Sequence, residues 1–216
     1  VSSPLADSVV VRLLDASGNG VPGRNVTFAI ATGGGVVSPT SATTDTAGRA
    51  AARWTLGPLA GGNSLIATSS GFSVTFQATG NSAAATTLLS NSATSQNGTA
   101  GLPAGAPPSV RVTDANGNPV AGVSISFAVS GGGGSILPVT PIATNASGIA
   151  TLTQWVLGTV AGANTVTASA AGLTPSQLTF TATGAAGAAA QLQVQTQPSS
   201  SAQSGVALAT QPAVRL

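Results

Sequence analysis

The stretch Asp15–Gly23, DASGNGVPG, returns as Asp114–Gly122, DANGNPVAG. Each copy leads into an alternating run that ends at Phe28 or Phe127, and then into a glycine run, Gly33–Gly35 or Gly131–Gly134. The spacing is 99 residues from Asp15 to Asp114, 101 from Trp54 to Trp155 and 104 from Phe76 to Phe180. Further matched blocks lie between these landmarks. Thr44–Ala50 (TDTAGRA) pairs with Thr144–Ala150 (TNASGIA), and Trp54–Gly61 (WTLGPLAG) with Trp155–Gly162 (WVLGTVAG). A period that drifts by a few residues is a duplicated unit whose loops have absorbed insertions, here around Pro175. A third copy opens and stops: Ala188–Ala190 echoes Ala83–Ala85, and Val214–Leu216 (VRL) echoes Val11–Leu13 (VRL) and Val110–Val112 (VRV). The expected division is residues 1–80, a first copy without the opening strand that 84–90 supplies to the second, then 81–184, then 185–216 as the first strands of a third.

Within a copy the apolar period is two. Val9, Val11 and Leu13, then Val26, Phe28 and Ile30, then Val74, Phe76 and Ala78 alternate with other residues, as strands with one buried face require. Gly18-Asn19-Gly20, Gly61-Gly62-Asn63 and Ser70-Gly71 punctuate them with residues that tolerate positive φ. Six to eight short strands in about 100 residues, with turns at regular intervals, describe a Greek-key β-sandwich. The expected fold class is all-β, two tandem sandwiches and a fragment.

The blocks also carry a resemblance. Asp-x-x-Gly-Asn-x-Val-x-Gly before a strand with Phe, then Thr-x-x-x-Gly-x-Ala, then Ala-Gly-x-Asn-x-(Leu/Val)-x-Ala, is similar to the bacterial Ig-like domains of the invasin and intimin type. It covers residues 8–80 and 84–184, with 185–216 as a truncated copy. The resemblance implies tandem Ig-like sandwiches of a bacterial surface adhesin or extracellular fibre. It leaves open whether these serve as spacers, filament units or adhesin tips, since a fold hosts many functions.

Composition excludes most chemistry. Cys, Met, His, Tyr, Lys and Glu are absent, 5% of residues are charged and 3% aromatic. Without these side chains no Ser/His/Asp, Ser/Lys or Cys/His arrangement can form, and transition metals lose their usual ligands. The second copy holds one carboxylate, Asp114, so no repeated pair exists for acid/base work. The expectation is a non-enzyme with no catalytic residue, cofactor or metal. The isoelectric point of about 11.3 reflects six Arg against four Asp; the arginines are scattered, and nucleic-acid binding needs cations clustered on one face. No run of about 18 apolar residues is present to insert in a membrane. Val1–Asp7 has neither the basic start nor the apolar stretch of a secretory leader, which reads as a leader removed or an interior piece.

Several residues invite a site. Asp15-x-Ser17-x-Asn19 and Asp114-x-Asn116-x-Asn118 look like the front of a calcium loop, but such loops need six to eight oxygens; a turn in which Asp and Asn bond nearby backbone is the simpler reading. The glycine runs lack the Lys and helix of a phosphate loop and read as flexible connections. Trp54, Trp155, Phe28, Phe127, Phe76 and Phe180 recur in both copies and are expected as core anchors. Leu192, Val194 and Thr196 alternate where the first copy lacks a strand, and are the candidate donated strand if copies assemble by strand addition. The expected partners are neighbouring copies or adjacent repeats, and the expected location is extracellular, on a bacterial surface. The expected role is a structural unit of a filament or stalk; the alternative is an adhesin module contacting a surface glycan or receptor.

Overall fold

A computed structural model describes residues 1–215. The first repeat contains β1 (Val9–Arg12), β2 (Asn25–Thr32), β3 (Gly35–Ser38), β4 (Ser41–Thr43), β5 (Arg49–Leu56), β6 (Gly61–Ser69) and β7 (Phe72–Gly80). They form two antiparallel sheets, β1-β5-β3 and β4-β2-β6-β7. The alternation places Val26 and Phe28 of β2 and Leu65 and Ala67 of β6 against Val9, Ala50, Ala52 and Trp54 of the other sheet. That interleaved cluster makes the pair of sheets a sandwich.

The second repeat contains β8 (Ala85–Ser90), β9 (Ser95–Thr99), β10 (Ser109–Asp114), β11 (Ser124–Gly131), β12 (Ser135–Leu137), β13 (Ile142–Ala143), β14 (Ile149–Thr151), β15 (Gln154–Val156), β16 (Gly162–Ser169) and β17 (Gln177–Ala185). One layer is β14-β10-β8 with the β12-β15 pair, the other β13-β11-β16-β17-β9. The core joins Leu88, Val110, Val112 and Trp155 of the first layer to Ile125, Val166, Ala168 and Phe180 of the second. β14 and β15 stand where β5 runs unbroken. Five positions separate Ala150 from Trp155 but four separate Ala50 from Trp54, and the extra residue interrupts the ladder at Leu152-Thr153 as a bulge does.

Two features lie beyond the alternation. β9 runs parallel to β17, from Thr181↔Ser95 to Ala185↔Thr99, so the chain crosses from one layer to the other between β8 and β9. β18 (Gln193–Thr196) and β19 (Ala213–Arg215) pair only with each other, and their residues belong to neither core. Leu216 lies outside the described residues. Among the described residues no helix is long and apolar enough to cross a membrane.

Candidate assembly sites

The repeated Asp turn is built the same way twice. Asp15 Oδ1 accepts from the backbone N–H of Ser17 (2.9 Å) and Asn19 (2.8 Å), and Asn19 Nδ2 donates to Oδ2 at 3.1 Å. In the second repeat Asp114 Oδ1 accepts from Asn116 and Asn118 N–H, both at 2.9 Å, and Asn118 Nδ2 donates to Oδ2 at 2.9 Å. Gly18 and Gly117 complete the turns at φ of 84° and 83°. Both carboxylates thus accept from three donors of their own turn.

The surroundings of the two turns differ. Asp15 and Asn19 are exposed, whereas Asp114 and Asn118 are buried. The cause is the β5–β6 loop of the first repeat, which rests on the second turn. Asn118 Nδ2 donates to Pro58 O at 2.8 Å, and Asn118 Oδ1 accepts from Ala60 N–H at 2.8 Å. Asp114 Oδ2 takes a further bond from Ala83 N–H in the connecting segment, at 2.9 Å, and the Val1 backbone nitrogen donates to Asn81 O at 3.0 Å. Both amide hydrogens of Asn118 therefore have acceptors, which a buried amide requires. Burial pushes the Asp114 carboxyl up, but the Asn118 side chain and the N–H groups of Ala83, Asn118 and Asn116 outweigh it and hold the pKa at about 2.

The other prominent surface is the open side of the first repeat. β10 is flanked by β14 and β8, and β17 by β16 and β9; β1 and β7 each have one partner, β5 and β6. Between their free edges runs a groove lined by Val11, Leu13, Val26, Ala67, Phe72 and Val74. The equivalent place in the second repeat is filled. β8 lies on β10 with Leu88 buried, Thr86 O accepts from Thr174 N–H at 2.8 Å, and Leu173 is 7% exposed where Phe72 is 72% exposed.

This difference also governs the aromatic residues. Trp54, Trp155, Phe28, Phe127 and Phe180 are buried. Phe76, expected as a core anchor, is only half-buried, because among the described residues no strand flanks β7 as β9 flanks β17 beside Phe180. Leu192 and Val194 are 63% and 58% exposed, and Thr196 is partly covered.

Most glycines of the two runs are packed, while a Cβ on Gly34 would meet nothing and one on Gly133 only Gly158 Cα at 3.9 Å. A Cβ on Gly33 would collide with the Asn63 side chain, and one on Gly158 with Gly132 O. Asn164, buried beside Gly132, accepts from Gly158 N–H at 2.8 Å and donates to Gly162 O at 3.1 Å. Gly35, Gly132 and Gly134 are required by close approach of backbone, which corrects the reading of the runs as flexible connections at those positions. Two residues escaped notice as bridges. Thr44 Oγ1 accepts from Arg24 N–H at 2.9 Å and donates to Val21 O at 2.8 Å; Thr144 does the same between Val123 N–H and Val120 O, at the same distances. Their signal was recurrence of a Thr at the head of the TxxxGxA block.

Residues 106–183 match the bacterial Ig-like domain (group 1) family. No curated protein sequence matches the chain. Among solved structures, InvD of Yersinia pseudotuberculosis is similar at 22% identity and a TM-score of 0.57, over 91% of this chain and 59% of that one. The chain thus spans about three-fifths of InvD. The Escherichia coli adhesin FdeC is similar at 20% identity, over 85% of this chain and 60% of that one, with a TM-score of 0.42. Invasin, a bacterial integrin-binding protein, is similar at 21%, over 87% and 38%, with a TM-score of 0.41.

Proposed function

We propose, for a chain whose second repeat matches the bacterial Ig-like domain family over residues 106–183, that it is a structural segment of an extracellular bacterial surface filament or stalk. Its sandwiches stack head to tail, set reach and transmit load, and carry out no catalysis. The observation that supports this most is the joint at Asn118, where one buried amide ties the second repeat to the first through Pro58 O and Ala60 N–H. A flexible tether between binding modules has no need of it, since interdomain motion is the default where contacts are few. The composition agrees, being poor in charge and free of Lys, with few sites for trypsin-like attack.

The alternative, an adhesin module for a glycan or receptor, calls for an exposed aromatic or apolar patch. Both indoles are buried, which removes them as stacking surfaces for a sugar and favours the structural role, and leaves Phe72 as the exposed aromatic ring. Electron microscopy of native material, with the denatured intact mass of the polypeptide, tests the proposal. Regular rods built of sandwich-sized beads are expected; compact isolated particles overturn it.

A further inference from the structure

The first repeat has one charged sheet and one neutral sheet. β2, β4, β6 and β7 contain no charged residue. In the other sheet β5 alternates, so that Ala50, Ala52 and Trp54 turn into the core while Arg49, Ala51 and Arg53 stay exposed on the outer face. β1 sets Arg12 directly opposite Arg49 and Val10 opposite Ala51, and β3 sets Ser38 opposite Arg53. Directly opposed residues stand about 5 Å apart at Cα, and Arg53 lies about 13 Å further along the strand. Three of the six arginines, dispersed in the sequence, thus form one row.

Little in the chain answers these charges. Arg12 Nε donates to Ala47 O, a neutral carbonyl, at 3.0 Å. Asp45 Oδ1 accepts the backbone N–H of Ala47 and Arg49. The Asp45 carboxyl is held low chiefly by the Arg49 N–H, with smaller contributions from the Arg49 and Arg12 charges, so one acid stands beside three bases. Like charges directly opposite in a ladder are destabilising. The fold does not require the arrangement. The second repeat builds the same sheet with Ile149 in the place of Arg49, Gln154 in that of Arg53 and Asn145 in that of Asp45, and keeps only Arg111, opposite Ile149. A cluster that costs stability, and that the sister repeat dispenses with, marks a functional position.

We infer that this outer face of β1 and β5 binds an acidic polysaccharide, whose carboxylate or sulfate groups are taken by Arg12, Arg49 and Arg53. The guanidinium fork matches such oxyanions with paired hydrogen bonds, and the exposed Val10 and Val36 on the same face offer apolar ground to the sugar rings. A sparsely charged polymer fits a row of three cations. A nucleic acid carries one charge per about 1.7 Å of duplex and engages more cations, or stacks its bases on aromatic rings when single-stranded; none is exposed on this face. The site does not depend on the free edge of β1, because an added strand lies in the plane of the sheet and these side chains stand out of it. It is a lateral contact made by charge, separate from how the repeats stack.

Binding of the whole chain is measured at low salt to polygalacturonate, dextran sulfate, uncharged dextran and single-stranded DNA. Binding to a charged polysaccharide is expected, with none to dextran and loss at about 1 M salt, where the screening length is about 3 Å; the first two polymers separate carboxylate from sulfate. A chain carrying Asp45→Asn, Arg49→Ile and Arg53→Gln takes the residues of the second repeat and loses two positive charges and one negative. It should bind at least about tenfold more weakly, as the loss of charge-assisted hydrogen bonds predicts, while its unfolding midpoint does not fall. Arg215→Gln makes the same net change of one charge elsewhere and should bind as the parent does. Arg53→Gln alone should weaken binding about threefold or more, and serves if the triple variant does not fold. No binding to either charged polysaccharide, tighter binding to DNA, undiminished binding by the variants of the row, or an equal loss with Arg215→Gln would overturn the inference. Each of these leaves the stalk reading intact, since that is read from native material by microscopy and mass.

Discussion

Asn118 Nδ2 donates to Pro58 O across the boundary between repeats, at 2.8 Å. The same amide also holds Asp114 and, through Oδ1, Ala60 N–H. Asn118→Ala therefore strands a carbonyl and an N–H at a joint closed to water. Losses of about 1–3 kcal/mol are typical when a buried partner is removed. The expected outcome is a broader distribution of interdomain angles by residual dipolar couplings, with a lowered unfolding midpoint. Asn19→Ala, in the exposed copy of the turn, should change stability by under about 0.5 kcal/mol. Equal effects would mean the joint adds nothing to the turn.

Acid acts on the same joint. Asp114 has its pKa lowered from 3.8 to about 2 in the folded chain. A carboxylate that holds its proton less tightly when folded contributes stability that is complete above pH 3.8 and lost as pH falls towards 2. Asp15 and Asp45 shift in the same direction, chiefly through the N–H of Asn19 and Arg49 respectively. Unfolding midpoints measured from pH 5 to 2 should fall across that window. Asp114→Asn should flatten the decline and lower the midpoint at neutral pH, because an amide NH2 would face the Ala83 and Asn118 donors. The turn headed by Asn145, which accepts Ser147 and Ile149 N–H with a neutral oxygen, should show no such dependence.

Glycine positions separate two physical requirements. At Gly117, φ is 83° but a Cβ would meet nothing within 4 Å, so alanine should cost about 1 kcal/mol, the left-handed penalty alone. At Gly158 a Cβ would strike Gly132 O, a backbone atom that cannot rotate away. Gly158→Ala should cost about 3 kcal/mol or more, beyond ordinary overpacking. Chemical denaturation of the two variants checks the order; similar costs would mean that the approach of Gly158 to Gly132 O adds nothing.

What was legible in the sequence was whatever repeats locally. Alternation at Val26-x-Phe28 and the recurrence of Trp54 at Trp155 read directly as all-β sandwiches, because strand period and recurrence are short-range signals. The joint was not legible. Asn19 and Asn118 sit in nonapeptides alike at six of nine positions, and the placement of Pro58–Ala60 leaves one exposed and the other buried. Phe76 and Phe180 lie inside matching strands, yet burial differs because the flanking β9 is supplied from 86 residues earlier, Ser95 beside Thr181. The glycine runs misled for a related reason: a residue without a side chain looks the same in sequence whether it permits motion or close packing.

The two indoles carry the last prediction. Trp54 and Trp155 are each 1% exposed, and neither Nε1–H has an acceptor. The rings thus contribute through area and contacts, against the cost of an unpaired buried donor. Trp155→Ala should cost about 3–5 kcal/mol as the cavity forms. Trp155→Phe should cost less, because it keeps an aromatic ring and removes the orphaned N–H. The same order should hold at Trp54, read by urea unfolding of each repeat. A loss under about 0.5 kcal/mol for the alanine variant is what a surface position shows, and would take the ring out of the core.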